Sequence, residues 1–110
     1  MNFIEGQGVL GKIQFLDGAM PVYDRTYLVV KTTDTYIEVL NVSTTKGKER
    51  KLAFPTNRRI KSYNPPFLKP SFVKLDSLTR VEKSLCDSLI ILNKGRVLNQ
   101  NELNEIQQLI

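Results

Sequence analysis

The sequence predicts a mainly β domain: a small, strongly bent sheet or barrel closed by one C-terminal helix. Three observations carry this. Short runs of β-branched and aromatic residues recur along the chain, several with strict apolar–polar alternation. Proline and glycine punctuate the intervals between them. The one sustained helical periodicity begins only after Leu98.

Residues 9–16 open the series. Ile13 and Phe15 share one face and Lys12 and Gln14 the other, the pattern of a half-buried strand. Gly6, Gly8 and Gly11 precede or lie within it and permit turns or a bulge. Their irregular spacing ahead of a strand argues against a phosphate-binding glycine loop. Asp17 to Pro21 has turn chemistry. It delivers the chain to Arg25 and a continuous apolar strand over 26–31, expected to be buried on both faces.

Thr32-Thr33-Asp34 reads as a turn and residues 35–42 as the return strand of a β-hairpin. Along that strand Ile37 and Val39 face opposite to Tyr36 and Glu38. Ser43, Thr44 and Thr45 end it as a cluster of hydroxyls, residues 46–51 form a charged turn, and Leu52-Ala53-Phe54 a short apolar strand. Pro55, Pro65, Pro66 and Pro70 forbid a helix or a central strand between 55 and 70. What remains is a long, partly extended loop in which Arg58, Arg59 and Lys61 alternate with Tyr63 and Phe67. Interleaved cations and rings suit single-stranded nucleic acid, although Phe67 is more simply an anchor to the core.

Residues 71–76 read as a further strand with Lys74 and Asp76 on one face, 77–85 as a helical turn or loop, and 89–92 as a short buried strand. A turn follows at 93–96. Asn99 then caps the final helix, Glu102 three positions on gives a capping-box pattern, and Leu103, Ile106 and Ile110 form the apolar stripe. Leu98 is placed to act as a hydrophobic staple to Leu103.

At 110 residues the whole chain, 1–110, reads as a single domain. It has no histidine, which excludes a Ser-His-Asp triad, imidazole acid–base catalysis and the commonest zinc ligands. One cysteine, no apolar run of spanning length and no signal-peptide pattern point to the cytoplasm and to no membrane. Charge is concentrated in the middle. Residues 46–83 hold eleven Lys and Arg against three carboxylates, a balance of +8. The net charge is +5, so the remainder is −3. Such a centre suits a polyanion or an acidic partner.

Several segments taken in order resemble the MazF/PemK family of toxin endoribonucleases. Gly11-Lys12-Ile13 is similar to the family's early Gly-Asp-Val strand, and Asp24 to Val30 to its Arg-Pro-x-Leu-Val strand. Asn41 to Thr44 falls where members carry a strand-ending hydroxyl. Asp76 to Lys83 resembles the Asp-x-x-Arg-Thr-Ile-Asp-Lys region, and Gly95 to Leu103 the helix entry. Departures exist: Thr26 replaces the proline, Arg80 is displaced by one position, and the first-loop signature is absent.

The resemblance implies an SH3-like barrel, a homodimer, and a type II toxin that cleaves single-stranded RNA, messenger RNA above all, without metal or cofactor. It also implies a cognate antitoxin as partner. By family position Arg25, Ser43, Thr44 and Asp76 would be catalytic, and Arg58, Arg59, Lys61 and Lys74 would bind RNA. The alternative is a non-catalytic SH3-like module that binds RNA or protein, since fold does not fix function. A third class is a purely structural interaction protein.

Overall fold

A computed structural model describes residues 2–14 and 17–110. Seven antiparallel strands form one open sheet: β1 Gly8–Gly11, β2 Arg25–Thr32, β3 Tyr36–Thr44, β4 Asn57–Arg59, β5 Ser71–Lys74, β6 Thr79–Glu82 and β7 Ile90–Ile91. Their order is β4-β5-β3-β2-β1-β7, with β6 added beside β3. One helix, α1 Gln100–Gln108, follows. The expectation of a mainly β fold with a C-terminal helix holds.

The β2–β3 hairpin is the centre, and its sequence explains why. Leu28, Val29, Val30, Val39 and Leu40 are buried, so the two strands present apolar side chains to both faces. A register shift between Val29 and Lys31 bulges β2 and bends it. The Thr33 hydroxyl accepts hydrogen bonds from the Thr35 and Tyr36 amides (3.3 and 3.1 Å), which closes the turn. β3 is long enough to serve two further partners. Tyr36–Val39 pairs with β6, and Val42–Thr44 pairs with β5.

A core lies on each face. On one, Val9, Val29, Ile37 and Val39 pack with Phe3, Ile13, Tyr27, Val81 and Leu89. On the other, Leu28, Leu40, Val42 and Val73 pack with Ile60, Phe67 and the helix residues Leu103 and Ile106. We call these the first and second faces. Each fully buried aliphatic side chain contributes about 1.5–3 kcal/mol. The helix therefore needs its second-face contacts, because nine residues are too few to be stable alone.

Several expectations are corrected. The first strand ends at Gly11, although Ile13 is buried and Lys12 and Gln14 exposed as its alternation required. Phe15 lies outside the described residues. Residues 51–53 form a 3₁₀ turn in place of a strand: Ala53 and Phe54 are exposed, and among the described residues no strand pairs with them. β4 arises within the proline-rich stretch, but as an edge strand with its one pairing to β5. The strand expected over 71–76 stops at Lys74. Residues 79–82, expected as a helical turn or loop, form β6, where Val81 is buried and Arg80 and Glu82 are exposed. β7 keeps only Ile90 and Ile91, and Ile90 is exposed.

Two side chains stand out among the contacts that hold the 60–70 loop. Phe67 is buried in the second core, as anticipated, and approaches β1 so closely that a Cβ on Gly8 would lie 2.8 Å from its ring. Glu102 is the other. Asn99 accepts a hydrogen bond from the Glu102 amide (3.1 Å), half of the expected capping box. The Glu102 carboxylate turns away from the helix and accepts the Lys61 and Ser62 amides at 2.6 and 2.7 Å.

Candidate functional site

Alternation along β2, β3 and β5 decides which predicted residues meet. Thr26 pairs with Val42, and Val42 with Val73, and the two valines belong to the second-face core. Their neighbours Arg25, Ser43 and Lys74 therefore project from the first face. Tyr27 pairs with Asn41 on that same face. The first-face side of β3 thus reads Ile37, Val39, Asn41, Ser43, a change from buried apolar to polar within one strand. A polar surface begins there beside Phe72, which pairs with Ser43 on the same face and is fully buried.

That surface is cationic. Burial lowers the Lys74 ammonium pKa, and the positive charges of Lys51, Lys48 and Arg25 lower it further, while Asp76 opposes them. Arg25 also acts on Tyr27, whose phenol is raised by burial against the opposing effects of a backbone hydrogen bond with Ile13 and the Arg25 charge. Arg25, Lys48, Lys51 and Lys74 thus share one electrostatic neighbourhood, with the Ser43 hydroxyl on the same face.

The other predicted residues separate. Asp76 sits in the turn after β5, exposed, and not on the strand with Lys74. Arg59 pairs with Phe72 and so belongs to the Arg25 face, at the sheet edge. Arg58 lies on the opposite face and forms an ion pair with Glu105 of the helix. Lys61 is exposed beside the helix N-terminus. Thr44 alternates away from Ser43 along β3, and both residues border an apolar groove of about 280 Å³ with Leu10, Val42, Phe67 and Leu68.

No family model matches the chain, and no curated protein matches it. The site is therefore defined by its own geometry. Beside the cations a cleft of about 380 Å³ opens, lined by Ile13, Gln14, Tyr27, Asn41, Ser77 and Thr79. It forms where β3 changes partners and β5 and β6 diverge. Ser77 bridges the divergence: its hydroxyl accepts the Asn41 amide at 2.8 Å and donates to the Lys74 carbonyl at 2.6 Å.

Tyr27, Asn41, Lys48, Lys51 and Ser77 were not singled out from sequence. A signal existed for Asn41, since carboxamides are depleted in strands and it breaks the apolar face of β3. Lys48 and Lys51 showed only as part of the basic stretch 46–83, because a charged turn has the same composition wherever it folds. Chemically, the arrangement offers converging cations for a phosphate, a hydroxyl beside them, a nearby carboxylate, and an adjoining cleft with mixed polar and apolar walls.

Proposed function

We propose that the protein is a divergent member of the MazF/PemK-like toxins, an SH3-like endoribonuclease that cleaves single-stranded RNA without metal. The observation that carries this reading is that Arg25 and Lys74 share one sheet face with Ser43, with Lys48 and Lys51 near enough to help depress the Lys74 ammonium. The change of partner along β3, from β6 to β5, supports the barrel-like form. The +8 balance of residues 46–83 supports a polyanionic substrate and an acidic antitoxin.

In the proposed reaction the ribose 2′-oxygen attacks the adjacent phosphorus. A P–O bond forms, the P–O5′ bond breaks, and the products are a cyclic 2′,3′-phosphate and a 5′-hydroxyl. Asp76 would accept or orient the 2′-hydroxyl proton. Arg25 and Lys74 would stabilise charge on the non-bridging oxygens, and Ser43 would donate to one of them. Arg25 would also serve the leaving 5′-oxygen. Lys48, Lys51 and Arg59 would hold flanking phosphates. The protein would act as a homodimer in the cytoplasm.

The test is the cleavage rate of Arg25→Ala on a defined RNA. A donor aimed at developing charge contributes about 2.7–4 kcal/mol, so the rate should fall on the order of 100-fold or more. A variant as fast as the wild type would remove Arg25 from the mechanism. RNA that is bound and left intact by the wild type would favour the binding-module alternative.

A further inference from the structure

We propose that Asn41 reads a nucleobase in the cleft beside the Arg25–Lys74 cations, and that its chemistry selects adenine. The inference rests on the RNA-cleaving reading and names the specificity determinant of that site.

Asn41 occupies the middle of the sheet's longest strand, in register with Tyr27, where an apolar side chain would continue the run of Ile37 and Val39. It is half-buried. Other polar side chains of the cleft make hydrogen bonds within the protein. Ser77 spans the Asn41 amide and the Lys74 carbonyl. The Thr79 hydroxyl donates to the Ser77 carbonyl at 2.9 Å, and Gln14 Nε2 donates to the Gly18 carbonyl at 2.6 Å. Asp17 Oδ1, also at the rim, accepts the Ala19 amide at 2.9 Å. The Asn41 carboxamide makes no hydrogen bond among the described residues. The strand beneath it is fixed by the bond from the Asn41 amide to Ser77.

Position gives the ligand class. Ser77 ties the Asn41 backbone to the Lys74 carbonyl, which sets the cleft beside the end of the strand that carries Lys74; a nucleotide whose phosphate rested on Lys74 would bring its base to this cleft. The volume, about 380 Å³, lies near the lower end of ligand pockets, roughly 300–1,000 Å³, and suits one base. Ile13 and Tyr27 supply apolar wall for its ring.

The carboxamide gives the base. It presents one donor and one acceptor in a plane, and asparagine pairs bidentately with adenine N6 and N7. Adenine is the one base of the four that offers such a pair on both its Hoogsteen edge, N6–N7, and its Watson–Crick edge, N6–N1. Single-stranded RNA exposes both edges.

The experiment uses short 2′-O-methyl oligouridylates carrying one central adenosine, guanosine or cytidine, or none. They lack the attacking hydroxyl, so binding is measured at equilibrium whether or not the protein cuts RNA. Wild type should bind the adenosine oligomer on the order of tenfold tighter than the others. Asn41→Leu should erase that preference, and Asn41→Asp, with two acceptors, should move it toward guanine and its N1–H and N2–H. Equal binding of all four oligomers by the wild type, or an adenosine preference that survives Asn41→Leu, overturns the proposal. An adenosine preference lost in Asn41→Leu, in a protein that leaves ordinary RNA intact, upholds the base site and removes the ribonuclease reading. RNA cut at sites that ignore adenine does the reverse.

Discussion

Replacing Glu102 by glutamine should loosen the whole 60–70 loop. The carboxylate is buried (6% exposed) and accepts two backbone amides from a segment forty residues away in sequence. Hydrogen bonds to a charged acceptor contribute about 1.5–3 kcal/mol each, and a neutral one about 1 kcal/mol. Glutamine keeps the shape but only one acceptor oxygen. Its NH₂ group faces the second amide, which is left unpaired. The expected loss is about 3 kcal/mol. For a domain of this size each kcal/mol moves the midpoint by about 4 °C or more, so Tm should fall on the order of 12 °C. Thermal and urea unfolding followed by circular dichroism measure this, and amide exchange reads the cause directly. The Lys61 and Ser62 amides should lose protection, while those of β2 and β3 lose no more than the global change accounts for. A Tm within about 3 °C of wild type, less than 1 kcal/mol by the same scaling, would refute the idea that Glu102 pins the loop.

Other expectations follow from the same geometry. Phe67→Ala should cost about 3–5 kcal/mol, and Gly8→Ala about 1–3 kcal/mol because its new methyl meets the Phe67 ring; chemical denaturation measures both. Lys74 is depressed by burial and by neighbouring cations, so the folded state releases its proton before the unfolded state does. Stability should therefore rise with pH from the folded Lys74 pKa up to the ordinary lysine value. Tyr27 and Cys86 are raised by burial and oppose this at alkaline pH, so the sign is read from the difference between wild type and Lys74→Met, which cancels them. If four cations contact RNA phosphates, a plot of log binding constant against log salt should have a slope of about −3. A slope near zero would show that the cationic face does not hold the RNA.

The hairpin was legible because β-branched runs and a polar turn fix it locally, and the helix because Asn99, Leu103 and Ile106 signal one cap and one stripe. The 3₁₀ turn at 51–53 and the strand at 79–82 were not. Leu52-Ala53-Phe54 is apolar enough for a strand but finds no partner, and Thr79 to Glu82 becomes one by pairing with the far half of β3. Such pairings are decided by long-range contacts that no short window contains. The same limit applies at the site. Arg25, Ser43 and Lys74 share a face because three strands align in register. Ser43 and Thr44 are adjacent in sequence yet face opposite ways, and Arg58 and Arg59 divide similarly between the helix and the cationic face. Alternation in the sequence told that such neighbours must part, but only the pairing told which face holds which.

The central claim is tested most directly by incubating the purified protein with a long single-stranded RNA in the presence of EDTA and mapping the new 5′ ends. The account predicts discrete cuts that leave 5′-hydroxyl ends and disappear with Arg25→Ala. RNA that stays intact, or cuts that persist unchanged in Arg25→Ala, would contradict it.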